Sequence, residues 1–427
     1  MYLIKKQYHA INNYIPNWYK LGPRYRRFIN FLSTSEGWSD EKKKEYQLKR
    51  LKDIVLYCYN NVPYYKSTFD KNSINPHINS FNEFLKIPII SKKEIIDNTD
   101  DLISKQYSKK KLLVKTTGGS TGDALIFYKS SADALLESAF VDYAISKIGI
   151  SNSRKYKKII IRGNKPYNNK LYEHIGNNLV LSSYMLSNKN FDKYIKLIES
   201  FNPDMMHVYP SSILLLAKYI NNSGINICMN NLKGILASSE TFTMEQKQIV
   251  SDIFKVPICD LYGNTEHTVL GLEYFNNKRF EFVFQYGFVE IINNEVISTS
   301  FNDLAMPFLR YNTNDFVNKK GNEIIGIDGR AQDFMLDINN TPISIAAINM
   351  HDNTFIGLEQ YQFQQHQPGF VDLFIVLSKD GAFDENNMIK KLNMKLNMKI
   401  TINVKYVNNI PRTERGKHRY LIQNINK

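Results

Sequence analysis

The sequence predicts an α/β protein: a large N-terminal domain of helix-covered, mainly parallel sheets with an added β subdomain, then a small α+β C-terminal domain. Three observations carry this. Short apolar, β-rich runs alternate with helical segments up to residue 263. From residue 279 the texture changes to closely spaced strand-like runs. After residue 333 a separate strand–helix–strand pattern follows. Alternation of strands and helices is the signature of parallel, helix-covered sheets, and closely spaced strands that of antiparallel ones. A chain of 427 residues also exceeds one comfortable core. The division falls at 1–333 and 334–427.

Taken in order, Leu48, Leu51, Val55 and Cys58 mark one face of an amphipathic helix over 41–62. ALIFY (124–128) reads as a strand and 131–148 as a helix. KKIIIR (157–162) and LVLSS (179–183) read as strands ahead of helical FDKYIKLIESF (191–201). MMHVYP (205–210) leads into helical SSILLLAKYI, and LKGILAS (232–238) into helical MEQKQIVSDIF. PICDLYG (257–263) closes the series. RFEFVFQYGFVEII and EVISTS then predict the β subdomain. Strand-like FVDLFIVLS, helical MIKKLNMKLN and strand-like KITINVKYV predict the C-terminal unit.

Composition narrows the function. Hydrophobic residues at 43% and charged residues at 22% describe an ordinary globular protein. No apolar stretch approaches the ~18 residues of a membrane span, and the N-terminus is too polar for a secretory signal. The three cysteines are scattered without a C-x-x-C, which argues against disulfides and a cysteine-built zinc site. A cytoplasmic protein is expected. The net charge of +14 suggests nucleic acid, but the lysines are spread along the chain and no basic-aromatic motif accompanies them. The expected partners are small molecules, with anionic substrates favoured by the basic surface. Oligomeric state stays open, a homodimer included.

Several loops carry unusual polar content. VKTTGGSTGDALIF (114–127) sets Thr117, Gly118, Gly119, Ser120, Thr121 and Gly122 between two strand-like runs. Glycines let backbone N–H groups approach an anion and hydroxyls add donors, so a phosphate cradle fits; an ordinary hairpin turn fits as well. LYGNTEH (261–267), RYNTNDF (310–316) and GRAQDF (329–334) follow strand-like runs, where ligands of open α/β sheets sit. Asp315 could accept both hydroxyls of a ribose, Thr265 could donate to phosphate, and Glu266 could hold a cation. PRTERGKHR (411–419) is either a solvated basic tail or a glycine-hinged loop delivering Lys417 as a point charge.

This ordered set resembles the adenylate-forming (AMP-binding) superfamily, within it the phenylacetate–CoA ligase-like group, and especially the branch associated with capsular polysaccharide biosynthesis. RLKDIVLYCYNNVPYYKSTFD (50–70) and IPIISKKEI (87–95) resemble the group's N-terminal signature. TTGGSTG resembles its phosphate loop, with Asp123 where the family often has Lys or Pro. LSSYMLS (181–187), YPSSILLLA (209–217) and ILASSET (235–241) resemble the capsule branch. YGNTE, RYNTNDF, GRAQDF and PRTERGK complete the series.

The resemblance implies ATP-dependent formation of an acyl-AMP from a carboxylic acid, then acyl transfer, with coenzyme A the common acceptor. It implies that Thr117, Ser120 and Thr121 donate to the β- and γ-phosphates. Ser239, Glu240, Asp260, Leu261, Tyr262 and Gly263 frame the adenine. Thr265 touches the α-phosphate, Glu266 holds magnesium, Asp315 grips the ribose and Arg330 assists there. Lys417 bridges carboxylate and α-phosphate from a mobile C-terminal domain hinged at Asp333. The acid pocket would use Tyr184, Tyr209 and Ser211, which the residues alone also allow as core and helix cap. Transfer to an amine or hydroxyl of a sugar nucleotide, or a degenerate binding protein, are the alternatives. Together Glu266, Asp315, Arg330 and Lys417 speak against the last.

Overall fold

The computed structural model describes residues 15–116, 125–164, 166, 170–187, 189–274, 279–321, 323–330, 334–344, 353–355, 357–378, 383–396, 398–413 and 417–425. They fall into two compact units, each drawn from separate stretches of chain: 15–155 with 261–326, and 156–260 with 327–427.

In the first unit the long helix spans Asp40–Asn61, capped by Ser39, whose hydroxyl accepts from the Lys42 N–H at 3.3 Å. Asp40 and Glu41 in its first turn favour the positive end of the helix dipole. Its buried stripe is Leu51, Ile54, Val55 and Cys58, one face of a 3.6-residue period. That stripe packs with Tyr65, Phe69 and Phe84 and with Phe301, Phe308 and Leu309. Pro63 at the first turn of Pro63–Lys71 fixes where the next helix starts.

Ile126–Lys129 forms a strand but pairs antiparallel with Leu113–Thr116, Val114 facing Tyr128. The expected strand at 124–128 therefore belongs to a hairpin and not to the parallel series. The reason is the short link before it, since a parallel crossover needs about a dozen residues or more. The helix Ser131–Ser146 follows, started by a Ser130–Asp133 capping box.

The run 279–292 divides. Arg279–Phe282 pairs with Leu270–Tyr274, and Gly287–Ile292 opens a four-stranded sheet with Glu295–Ser300, Tyr311–Lys320 and Glu323–Arg330, in sequence order. Its first turn, Asn293–Asn294, has φ of 52° and 66°, the left-handed pair of a tight hairpin. Arg310 fastens this sheet to the preceding chain. Its guanidinium donates to both carboxylate oxygens of Glu290 (3.0 and 2.7 Å) and to the carbonyls of Leu85 and Ile87.

The second unit holds strands in the order 258–263, 234–238, 205–208, 158–161, 178–181, 172–175. Neighbours from Gly234–Ser238 through Asn178–Leu181 pair parallel, and the edge strand Tyr172–Ile175 is antiparallel. Met205–Val208 and Gly234–Ser238 are almost wholly buried, as strands covered on both faces should be. Phe191–Phe201, Pro210–Ser223 and Met244–Phe254 are the helices of the alternating series. The middle one starts on Pro210 and stops at left-handed Gly224, φ 62°. The third begins with a Thr243–Gln246 capping box.

In the same unit the C-terminal stretch adds a four-stranded sheet ordered 401–406, 370–377, 358–367, 421–423. Only its central pair is antiparallel. The helix Glu385–Lys395 buries Met388 and Leu392 against Phe363, Val371, Leu373 and Ile375. This is the α+β pattern expected after residue 333.

Arg310→Met should lower stability by about 3–5 kcal/mol, because Glu290 is then a buried charge without its partner. Urea unfolding of the full chain checks this. Changing Glu290 to Met in the same chain should recover part of the loss.

Candidate active site

Two clusters of polar side chains, one in each unit, contain the residues expected to act. The first gathers around the turn Asn264–Thr268. Asn264 closes that turn: its carbonyl oxygen Oδ1 accepts the Thr268 N–H at 2.9 Å and its Nδ2 donates to the Thr268 hydroxyl at 2.6 Å. Thr265 is exposed at the turn and Glu266 is buried. Glu266 Oε1 accepts from the Tyr311 hydroxyl at 3.0 Å. Its second oxygen, Oε2, is buried with no hydrogen-bond partner among the described residues. An orphaned buried carboxylate oxygen is costly unless a ligand or ion meets it.

The backbone of Glu266 is held from behind. Lys129 is 1% exposed; its ammonium donates to the Glu266 carbonyl at 2.6 Å and pairs with Asp303. Burial pushes Asp303 up to about 6, against the opposing pull of Lys129. His267, left-handed at φ 58°, lies 3.8 Å from Glu137, which accepts from the Tyr286 hydroxyl at 2.7 Å. Burial first, then the charges of Lys129 and Lys115, holds His267 down to about 3.

Asp315, also buried, accepts from the Tyr262 hydroxyl at 2.8 Å, and its N–H donates to the Thr313 hydroxyl at 3.1 Å. Asn314 before it is left-handed at φ 56°. The structure thus brings Tyr262 to Asp315, and Tyr311 to Glu266. Gly263 ends the strand Ile258–Gly263, and Leu261 is half-buried in it.

The second cluster centres on Glu240. One oxygen, Oε2, accepts the Ser211 N–H at 2.8 Å; the other accepts the Ser211 hydroxyl at 3.1 Å and the His418 N–H at 2.9 Å. Arg412 donates to the Ser211 hydroxyl at 3.0 Å. Burial raises the Glu240 carboxyl, with Arg412, Ser211 and His418 pulling the other way. Ser239 is left-handed at φ 75° and its hydroxyl accepts from Arg162 at 3.1 Å. The Arg162 guanidinium lies 5.3 Å from the ring centre of Tyr209, and the Lys417 ammonium 6.0 Å from it. Tyr184 donates to the Gly163 carbonyl at 3.4 Å.

Lys417 sits in a closed turn. Its N–H donates to the Thr413 hydroxyl at 3.1 Å, and the Thr413 N–H donates to its carbonyl at 3.0 Å. Asp260 is paired with buried Lys247 at 3.1 Å, burial raising its carboxyl against that pairing. Arg330 ends the strand Glu323–Arg330. The phosphate-loop residues Thr117 to Gly122 and the hinge Asp333 lie outside the described residues.

Sequence reasoning passed over Lys129, Asp303, Arg162, Arg412 and His418. Arg162 ends the strand run KKIIIR, and Arg412 and His418 flank Lys417, so position alone could have flagged them. Lys129 and Asp303 carry no local signal; a lysine at a strand end reads as a surface residue.

Among the described residues no group of three or more His, Cys, Asp and Glu could hold a metal unaided. Magnesium commonly takes one or two carboxylates plus substrate phosphates, which one free oxygen on Glu266 suits.

Known proteins share this architecture. The chain is 28% identical to Protein CapK of Staphylococcus aureus over 89% of both chains. It is 24% identical to a phenylacetate-coenzyme A ligase of Aromatoleum evansii over 71% of this chain and 74% of that one. The chain is homologous to CapK and to the phenylacetate-coenzyme A ligases. Residues 338–424 match the CapK C-terminal domain, which covers most of the small α+β stretch of this chain. A solved 2-hydroxyisobutyryl-CoA ligase in the postadenylation state superimposes with a TM-score of 0.69 over 90% of each chain at 14% identity, which establishes a shared fold.

His418 is half-buried. Burial holds it down to about 4, against its Nε2 contact to the Tyr361 carbonyl at 2.9 Å. A base whose folded pKa is depressed binds fewer protons folded than unfolded between the two values. Stability is therefore full above pH 6.5 and falls as pH drops toward 4. His418→Gln should flatten this slope by up to one proton, about 1.4 kcal/mol per pH unit at the limit. Urea unfolding at stepped pH between 4 and 7 measures it.

Proposed function

We propose that this ligase activates a carboxylic acid with ATP to an acyl-AMP and passes the acyl group to coenzyme A, in the cytoplasm, within a surface-polysaccharide pathway. The observation that carries the reading is Glu266: a buried carboxylate with one oxygen tied and one without a partner among the described residues, in the turn next to Thr265. The capsule link rests on likeness to CapK, and the acceptor on the coenzyme A ligases among the relatives.

The chemistry is an attack of one anion on another. A carboxylate oxygen attacks the α-phosphorus, the bond to the β-phosphate oxygen breaks, and pyrophosphate leaves. Catalysis has to come from fixed positive charge and alignment. Lys417 bridges the acid and the α-phosphate as a compact ammonium. Thr265 donates to the α-phosphate. Glu266 Oε2 holds magnesium, which supplies charge neutralisation on the phosphates when bound. Asp315, with Arg330 assisting, takes the ribose hydroxyls, its carboxylate oriented by Tyr262. Thr117 to Gly122 cradle the outer phosphates. Ser239, Glu240 and Asp260 to Gly263 frame the adenine. The Glu240 and Asp260 carboxylates are already engaged by protein groups, so these two residues contribute backbone. The acid lies near Tyr184, Tyr209 and Ser211. Residues 334–427 move about Asp333 between the two half-reactions.

A pyrophosphate-exchange screen across carboxylic acids tests the reading without the acceptor. With the acid found, Lys417→Ala should cut exchange on the order of a hundredfold or more while ATP still binds. Exchange at the parental rate would remove Lys417 from the reaction. Asp315→Ala should instead weaken ATP binding at least tenfold by calorimetry, two charge-assisted hydrogen bonds being lost. Coenzyme A added to loaded enzyme should release AMP over multiple turnovers. A bound adenylate untouched by coenzyme A would point to an amine or hydroxyl acceptor.

A further inference from the structure

The geometry points to Glu240 and Arg412 as a latch that fixes the Lys417-bearing loop in its adenylating position, a role that rests on the reading of Lys417 given above. Three features converge. The Glu240 carboxylate is filled by protein donors: two from Ser211 and one from the backbone of His418, the residue after Lys417. Arg412, ahead of the turn, reaches the same serine hydroxyl at 3.0 Å and the Ser212 hydroxyl at 3.4 Å. Between these anchors the chain closes on itself through Thr413 and Lys417. The loop is thus gripped on both sides of the lysine, and both grips end on one carboxylate and the first turn of the helix Pro210–Ser223.

The neighbourhood stiffens the grip. His418 Nε2 contacts the Tyr361 carbonyl at 2.9 Å and its ring packs edge-on to Tyr420 at 4.7 Å. Gln246 donates to the Tyr420 hydroxyl at 3.1 Å, and Gln362 to the Arg419 carbonyl at 2.9 Å. Tyr361 in turn stacks on Phe355 at 3.9 Å.

A hydrogen bond lives only at its own separation. If residues 334–427 swing away from 156–260 for acyl transfer, the Glu240–His418 and Arg412–Ser211 bonds must break together, leaving a half-buried carboxylate and a guanidinium to be rehydrated. The latch therefore favours one orientation, and its strength sets how readily the loop leaves. Glu240 and Arg412 are positioning residues, acting on the reaction through Lys417.

Hydrogen exchange by mass spectrometry on the full chain reads the latch directly. Glu240→Ala and Arg412→Met should each speed exchange of peptides spanning 405–424 by about tenfold or more, the loss of one to two charge-assisted bonds. The double variant should add little to either single change, because both grips share Ser211. Glu240→Gln, which keeps an acceptor for the His418 N–H, should restore much of the protection. Unchanged exchange across 205–208 and 234–238 shows that the fold is intact. A segment that stays protected in both single variants overturns the proposal. So does weakened ATP binding in Glu240→Ala with the segment still protected, since that assigns the carboxylate to nucleotide. The exchange measurement needs no acid, so it decides the latch even if pyrophosphate exchange fails with every acid tried.

Discussion

The buried ammonium of Lys129 is the constraint on which the Glu266 cluster depends. A charge at 1% exposure has to find oxygen, and it finds two: the Asp303 carboxylate and the Glu266 carbonyl. The first neutralises it, and the second turns that neutralisation into geometry. With its carbonyl held, Glu266 has little freedom of backbone direction, and the Asn264 turn removes the rest. Tyr311 then takes one carboxylate oxygen and leaves the other facing inward.

Glu240 solves a similar problem differently. Glu266 is buried and Glu240 half-buried, yet Glu240 has a donor for each oxygen, while one oxygen of Glu266 has none among the described residues. A satisfied carboxylate belongs to structure, and a half-satisfied one is open to a ligand. That difference separates the proposed latch from the proposed cation ligand more firmly than sequence position does, since each residue simply follows a Ser or Thr in a strand-end loop.

Much of the fold was legible because periodicity reports burial. The parallel strands 205–208 and 234–238 are mostly apolar since both faces are covered, and the helix 40–61 shows its stripe since only one face is. What the pattern could not show was pairing partner: ALIFY looks the same in a hairpin as in a parallel sheet. The edge strand 172–175 went unseen because it alternates weakly and carries Glu173 and His174. At the site, residues in short polar loops stood out, while their supports did not. Lys129 and Asp303 act over long sequence separations, and nothing local in the chain encodes a partner more than a hundred residues away.

Ser239, His267, Arg310 and Asn314 are all left-handed without being glycine, and three of them adjoin Glu240, Glu266 or Asp315. Each holds a backbone shape costing a non-glycine residue about 1–2 kcal/mol. At Ser239, His267 and Asn314, selection for folding alone would favour glycine, since the exchange relieves that strain. Their side chains are what glycine would forfeit: Arg310 its clamp on Glu290, Ser239 its acceptor for Arg162. The four positions therefore work as a gauge of decay among relatives. In a lineage released from the proposed catalysis, the three beside Glu240, Glu266 and Asp315 would drift to glycine first, while Arg310, which the fold itself needs, would stay.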